Sequence, residues 1–257
     1  MDIAITPEDA AGPAPGRRPF WSAVGWGIVV MIVSTVLQMA TLAAAAYDLF
    51  YLKGRFGLTR ASVVQMLATD AARGDIVWIA AIVSDLACVG VILWIVAAKK
   101  APIRDYLALT PVRIQTTLRW VGILSAYVVL ASGAVALFHL DFGGAVMVNL
   151  LAGSRWPWLF WIAVVIGAPA FEEGFFRGFL FRGFEVSRLG TWGTIILTAI
   201  LWAAMHFQYN LYGIAFIAGT GILFGLARAR TGSLLVPLAL HAGMNLAETI
   251  VFTLQGG

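Results

Sequence analysis

Residues Trp156–Phe184 read WPWLFWIAVVIGAPAFEEGFFRGFLFRGF. At about 1.5 Å of rise per residue this run is long enough, as a helix, to cross a hydrocarbon core of about 30 Å. Inside it sit Glu172, Glu173 and Arg177. A carboxylate in hydrocarbon is costly unless it is paired or faces a wet cavity, so two adjacent carboxylates and an arginine at that depth mark a functional site.

The rest of the chain has the same character. Of 257 residues, 61% are hydrophobic and 12% are charged, against about 25% charged in an ordinary soluble domain. Apolar runs cover 21–46, 76–98, 118–138, 156–184, 191–206, 211–227 and 234–252. The expectation is an all-α, polytopic transmembrane bundle of about seven spans with a cavity inside the membrane. The net charge of +4 does not indicate nucleic acid, because the basic residues sit in short loops between apolar runs. Cys88 stands alone within an apolar run, so no disulfide framework or Cys-based metal site is expected.

Three segments follow from composition. Residues 1–19, with Pro7, Pro13, Pro15 and Pro19 among small and acidic residues, read as a disordered cytoplasmic tail. Residues 20–155 carry N-terminal transmembrane helices, and 156–254 carry the polar constellations. The first apolar run is too long for the core of a cleaved signal peptide and reads as a retained helix. With seven spans and the N-terminus inside, eleven Lys and Arg residues fall on the inner side. They are Arg17, Arg18, Lys99, Lys100, Arg104, Arg113, Arg119, Arg182, Arg188, Arg228 and Arg230. Five fall outside: Lys53, Arg55, Arg60, Arg73 and Arg155. That bias places the N-terminus in the cytoplasm of a multi-pass cell-membrane protein. The loop 47–75 carries four of the outer five and invites an extra re-entrant or interfacial segment.

Two further constellations lie downstream: Trp202 with His206, and His241 with Asn245 and Glu248. Successive helical residues point about 100° apart, so Glu172 and Glu173 divide roles. Glu173 and Arg177, four apart with the acid first, suit an ion pair, which leaves Glu172 the freer carboxylate. His241, Asn245 and Glu248 share one face of their helix. Pro169 removes a helical hydrogen bond just before the carboxylates and predicts a kink there. Gly174/Gly178 and Gly221/Gly225 have the spacing of close helix contacts. Counted from the inner helix ends, Glu172, His206 and His241 lie at about 18, 22 and 12 Å, close enough for tilt to bring them together.

Two chemistries fit a carboxylate with two histidines. Glu172, helped by His206, can deprotonate water for attack on an amide carbonyl while His241 and Asn245 donate to the oxyanion. Alternatively Glu172, His206 and His241 can bind zinc that polarises the water. There is no His-Glu-x-x-His pair, and His139 lacks such neighbours.

At these residues the chain resembles the CPBP family of intramembrane proteases, the CAAX-protease and bacteriocin-processing group. The resemblance rests on Pro169 with Glu172-Glu173-x-x-x-Arg177-Gly178, on Trp202-x-x-x-His206, on His241-x-x-x-Asn245, and on Arg230-Thr231-Gly232-Ser233 leading through Pro237 to His241. It covers about 156–248, and Trp202 stands where the family usually has Phe, which suggests adjusted packing. The resemblance implies an intramembrane endopeptidase acting on a membrane-associated protein or peptide in the lipid bilayer. It puts Glu172 and His206 at the water and His241 and Asn245 at the oxyanion, with Glu173, Arg177, Trp202 and Glu248 in supporting places. A mechanism without a cofactor is the preferred expectation, since an oxyanion hole accounts for Asn245 and a tetrahedral zinc site does not. A non-catalytic scaffold or bacteriocin-immunity protein is the rival, and a proton-coupled transporter is a weaker one, because no internal repeat is visible.

Overall fold

The computed structural model describes residues 17–51, 70–140, 143 and 145–255. Among them the elements are helical, and they run in order as follows. Helix α1 is Arg17–Tyr51, α2 is Asp70–Ala98, the short α3 is Ile103–Tyr106, and α4 is Ile114–Phe138. The short α5 is Ala145–Ala152. A continuous helix α6 covers Pro157–Glu185; α7 is Gly190–Ala204, α8 is Leu211–Thr231 and α9 is Leu235–Gln255.

Six of these helices are long and apolar enough to cross a membrane, and α7 is a shorter apolar one. The protein is a multi-pass membrane bundle. The seven apolar runs all become helix, yet α7 has 15 residues and is about 22 Å long, short of a full hydrocarbon core. It stops at Ala204, so the expected run to His206 is corrected: His206 lies in the turn beyond, where its amide bonds Ala203 O at 3.0 Å. Non-helical backbone among spans is tolerated where protein or a polar cavity satisfies it.

Residues 1–16 of the expected tail lie outside the described residues, but Arg17–Pro19 belong to α1. Pro19 falls in the first turn, where its missing N–H has no helical acceptor anyway. In the loop 47–75, residues 47–51 extend α1 and 70–75 open α2; residues 52–69, where a re-entrant segment was expected, lie outside the described residues.

The core forms where α6 meets α1, α2, α7, α8 and α9. Phe171, Phe175 and Phe179 recur every four residues and stack in sequence, with centroids 5.8 and 6.5 Å apart. Gly221 and Gly225 of α8 face α7 closely: a Cβ at Gly221 would lie 3.0 Å from the Trp202 ring and 3.1 Å from Ala199. Gly178 is similarly tight against Leu107 and Leu234, whereas nothing lies within 4 Å of a Cβ on Gly174. The small-residue spacing therefore marks a real contact at three of four positions.

Helix α6 is irregular in a way the sequence did not announce. π-helical turns at Ile162–Gly167 and Gly174–Leu180 flank a single α-helical stretch, Ala168–Glu173. In the first turn the Ala168 amide reaches Ala163 O, five residues back. The next bond of that pattern would run from residue 169 to Val164 O, and Pro169 has no N–H to make it. Pro169 therefore leaves Val164 O without an amide partner of this pattern, while the helix continues through it.

Substituting Gly221 by Leu should force α7 and α8 apart and cost about 1 to 3 kcal/mol, the usual scale of overpacking. Thermal unfolding in detergent should show this loss. Gly174→Ala, with open space around its Cβ, should be neutral or slightly stabilising in the same assay.

Candidate active site

Arg177 and Glu173 are both fully buried and pair at 3.0 Å. The second guanidinium nitrogen donates to Gly221 O at 3.0 Å. The guanidinium also lies over the Trp202 ring, 4.8 Å from its centroid, and over Phe224 at 5.6 Å. Glu173 Oε1 takes a second donor, His241 Nδ1, at 2.9 Å. One ion pair therefore gathers α6, α7, α8 and α9.

Because Glu173 is consumed in this way, Glu172 is turned elsewhere. Its side chain keeps 15% exposure and lines a cavity of about 580 Å³ together with Trp202, His206, His241, Asn245 and Glu248. These sequence-predicted residues come together in one space, while Glu173 and Arg177 stand behind it.

Around Glu172 the geometry is specific. The Trp202 indole N–H donates a hydrogen bond to Oε2. His241 Nε2 lies 4.0 Å from the same oxygen. With Glu173 accepting at Nδ1 and Glu172 beyond Nε2, the cationic form of His241 faces an acceptor at each nitrogen. His206 packs against Trp202 with centroids 5.1 Å apart, and its Nδ1 lies 2.9 Å from Trp202 O. A carbonyl only accepts, so Nδ1 carries the proton there and Nε2 of neutral His206 keeps its lone pair. Asn245 Nδ2 donates to Val164 O at 2.8 Å, the carbonyl that Pro169 leaves open. One of two amide N–H groups is thus committed and the amide is held in place.

Tyr209, in the turn after α7, also lines the cavity. Burial, and secondarily the Glu248 carboxylate, push its hydroxyl up to about 12, so it stays protonated at neutral pH.

A zinc site fits this arrangement poorly. Among the described residues no three His, Cys, Asp or Glu side chains converge as a metal-ligand group. Glu172 Oε2 already accepts from Trp202, and His241 Nδ1 is held by Glu173.

The sequence places Trp202 in a supporting position but does not show its bond to Glu172; the indole is buried and its N–H needs an acceptor, which is the available signal. Asp85 of α2 is buried as well, with Oδ2 3.2 Å from where a Cβ on Gly167 would stand. It is close enough to Glu172 for their charges to interact. The rule that singled out Glu172, an acid within an apolar run, applied equally to Asp85.

A family model described as type II CAAX prenyl endopeptidase Rce1-like matches residues 154–247, which hold α6, α7, α8 and most of α9. A 24.3 kDa protein of Escherichia coli is 37% identical over 82 residues, which are 31% of this chain and 38% of that protein. YpbD of Bacillus subtilis strain 168 is 30% identical over 145 residues, 54% of this chain and 70% of YpbD. The names of these two relatives carry no activity. No solved structure matches the chain.

Replacing Arg177 by Ala should cost about 3 to 5 kcal/mol, the scale for removing one partner of a buried pair, because Glu173 would stay buried without its cation. A lower unfolding temperature and reduced yield should accompany loss of function. A fully stable but inactive Arg177→Ala protein would assign the guanidinium a direct part in the chemistry.

Proposed function

The chain belongs to the Rce1-like family of type II CAAX prenyl endopeptidases, and from that premise we propose that it is an intramembrane endopeptidase that hydrolyses peptide bonds with water activated by Glu172. The observation that carries this reading is the single cavity in which Glu172, His206, His241 and Asn245 converge. A scaffold or immunity protein has no need to gather these groups around a space of that size.

In the proposed cycle a water between Glu172 and His206 loses a proton to Glu172 as its oxygen attacks the scissile carbonyl carbon. The free Nε2 of His206 orients that water as an acceptor. The carbonyl oxygen becomes an oxyanion, met by the remaining N–H of Asn245 and by an N–H at Nε2 of His241. Glu172 then passes its proton to the leaving amine as the C–N bond breaks. Glu173 and Arg177 act behind the site: Glu173 fixes the His241 ring, and Arg177 fixes Glu173 and Trp202.

We propose that no cofactor is required. The occupied oxygen of Glu172 and the committed nitrogen of His241 support this over zinc. The substrates we propose are membrane-associated proteins or peptides; no feature of the cavity demands a prenyl group. The catalytic core is assigned to 156–254. The charge bias of the loops supports a cytoplasmic N-terminus in the cell membrane.

Glu172→Gln should abolish cleavage while the protein remains folded and inserted, as seen by comparing protein and peptide termini in membranes of cells carrying each form. Substantial cleavage by a well-inserted Glu172→Gln protein would sink the general-base role. Asn245→Ala should lower turnover roughly 100-fold to 1000-fold with little change in apparent affinity, the scale for one lost oxyanion donor. Purified protein should keep its activity after chelation and buffer exchange. About one zinc per chain, with activity lost on stripping and restored by zinc, would overturn the metal-free mechanism and leave the protease assignment standing.

A further inference from the structure

The wall of the cavity beyond Asn245 carries polar groups that the proposed hydrolysis does not use. Glu248 lines the cavity one residue past the stretch that the family model matches. It forms no hydrogen bond or ion pair with another described residue; its electrostatic neighbours are His241 and the Tyr209 hydroxyl. No Lys or Arg among the described residues lines this cavity. The charge of Glu173 is answered by Arg177. His241, even as a cation, can answer only one of Glu172 and Glu248.

Thr249, next to it, gives an independent sign. Its side chain is fully buried and lines the same cavity, yet its Oγ1 has no hydrogen-bond partner. A helical threonine ordinarily bonds back to the carbonyl four residues before it. Thr35, Thr41, Thr194, Thr198, Thr220 and Thr253 all do so. Thr249 stands apart from them, with an unpartnered hydroxyl in the wall of the cavity that the Glu248 carboxyl also lines. Both groups are expensive in a membrane interior unless a ligand completes them.

We propose that Glu248 and Thr249 form a subsite for the Lys or Arg side chain of the substrate, with the ammonium or guanidinium on Glu248 and Thr249 Oγ1 accepting from it. This rests on Glu172 being the hydrolytic centre. Glu248 is seven residues beyond His241 on α9, roughly 10 Å along the helix. An extended peptide advances about 3.3 Å per residue, so the basic residue lies about three positions from the scissile bond.

The test begins with protein termini mapped in membranes of cells carrying the native chain or Glu172→Gln. Sites that vanish with Glu172→Gln should show Lys or Arg enriched two to four residues from the cut, on one side only. One such site is then made as two synthetic peptides, the native one and one with norleucine at the basic position, and both are assayed with the full-length protein in liposomes. The norleucine peptide should have a KM roughly tenfold or more higher, the loss expected for a hydrogen bond to a charged group. With Glu248→Gln the two peptides should become nearly equivalent, a coupling that a purely structural role for Glu248 does not produce. Glu172-dependent sites without a basic residue, or an unchanged KM with norleucine, would overturn the subsite and leave the protease reading intact. An absence of any Glu172-dependent site would overturn both. The norleucine comparison on the native protein decides the matter even if Glu248→Gln fails to fold.

Discussion

The fully buried pair of Glu173 and Arg177 is the constraint around which the bundle is arranged. Withdrawing two charges from water costs several kcal/mol per ion, and mutual attraction offsets that only when the remaining donors and acceptors are also engaged. Here Gly221 O takes one guanidinium nitrogen, His241 shares the carboxylate, and the rings of Trp202 and Phe224 cover the cation, while Glu173 Oε2 and Arg177 Nε find no hydrogen-bond partner among the described residues. These compensations come from three other helices, α7, α8 and α9. α7, α8 and α9 must therefore dock correctly before α6 can hold its charges, which links the order of the fold directly to the alignment of His241. The absence of a side chain on Gly221 belongs to the same requirement, because a Cβ there would press on the Trp202 ring that shields Arg177.

Two adjacent glutamates serve two purposes because a helix makes them diverge. One turns into the pair and the other into the cavity. The π-helical turns on either side of Ala168–Glu173 add to this by breaking the regular ladder of backbone bonds. Pro169 then leaves Val164 O without an amide, and Asn245, 81 residues further on, fills the vacancy. The same bond that satisfies a stranded carbonyl fixes the amide of a candidate oxyanion donor, so a backbone defect in one helix becomes a positioning device for another.

Much of this was legible in the sequence. The spans followed from hydropathy, and the Glu173–Arg177 pair from a spacing of four with the acid first. The approach of Glu172 to the two histidines was expected on depth alone. What stayed hidden has separate causes. In α6 nearly every residue is apolar, so periodicity carries no information about whether a turn holds 3.6 residues or more, and the π-helical turns left no trace. The partnership of His241 with Glu173 joins residues 68 apart, beyond any local rule. The end of α7 before His206 leaves no mark because the apolar run continues past it, while Asp85, an acid within an apolar run, is legible by the same criterion as Glu172.

Trp202 shows how one side chain can alter a site whose plan is otherwise that of its family. A phenylalanine there would pack against Arg177 and Phe224 equally well but would offer nothing to Glu172. The indole N–H instead occupies Oε2, on the side where His241 Nε2 also lies. Among the described residues Oε1 accepts no hydrogen bond, and it is the oxygen to which the proposed mechanism brings its water. The proposed hydrolysis requires the base and the oxyanion donors to address different atoms of one tetrahedral centre, and a Glu172 carboxylate with one oxygen engaged and the other open meets half of that requirement. Arg177 stacks from behind on the ring whose N–H holds Glu172, and the buried ion pair thus reaches the cavity's carboxylate without touching it.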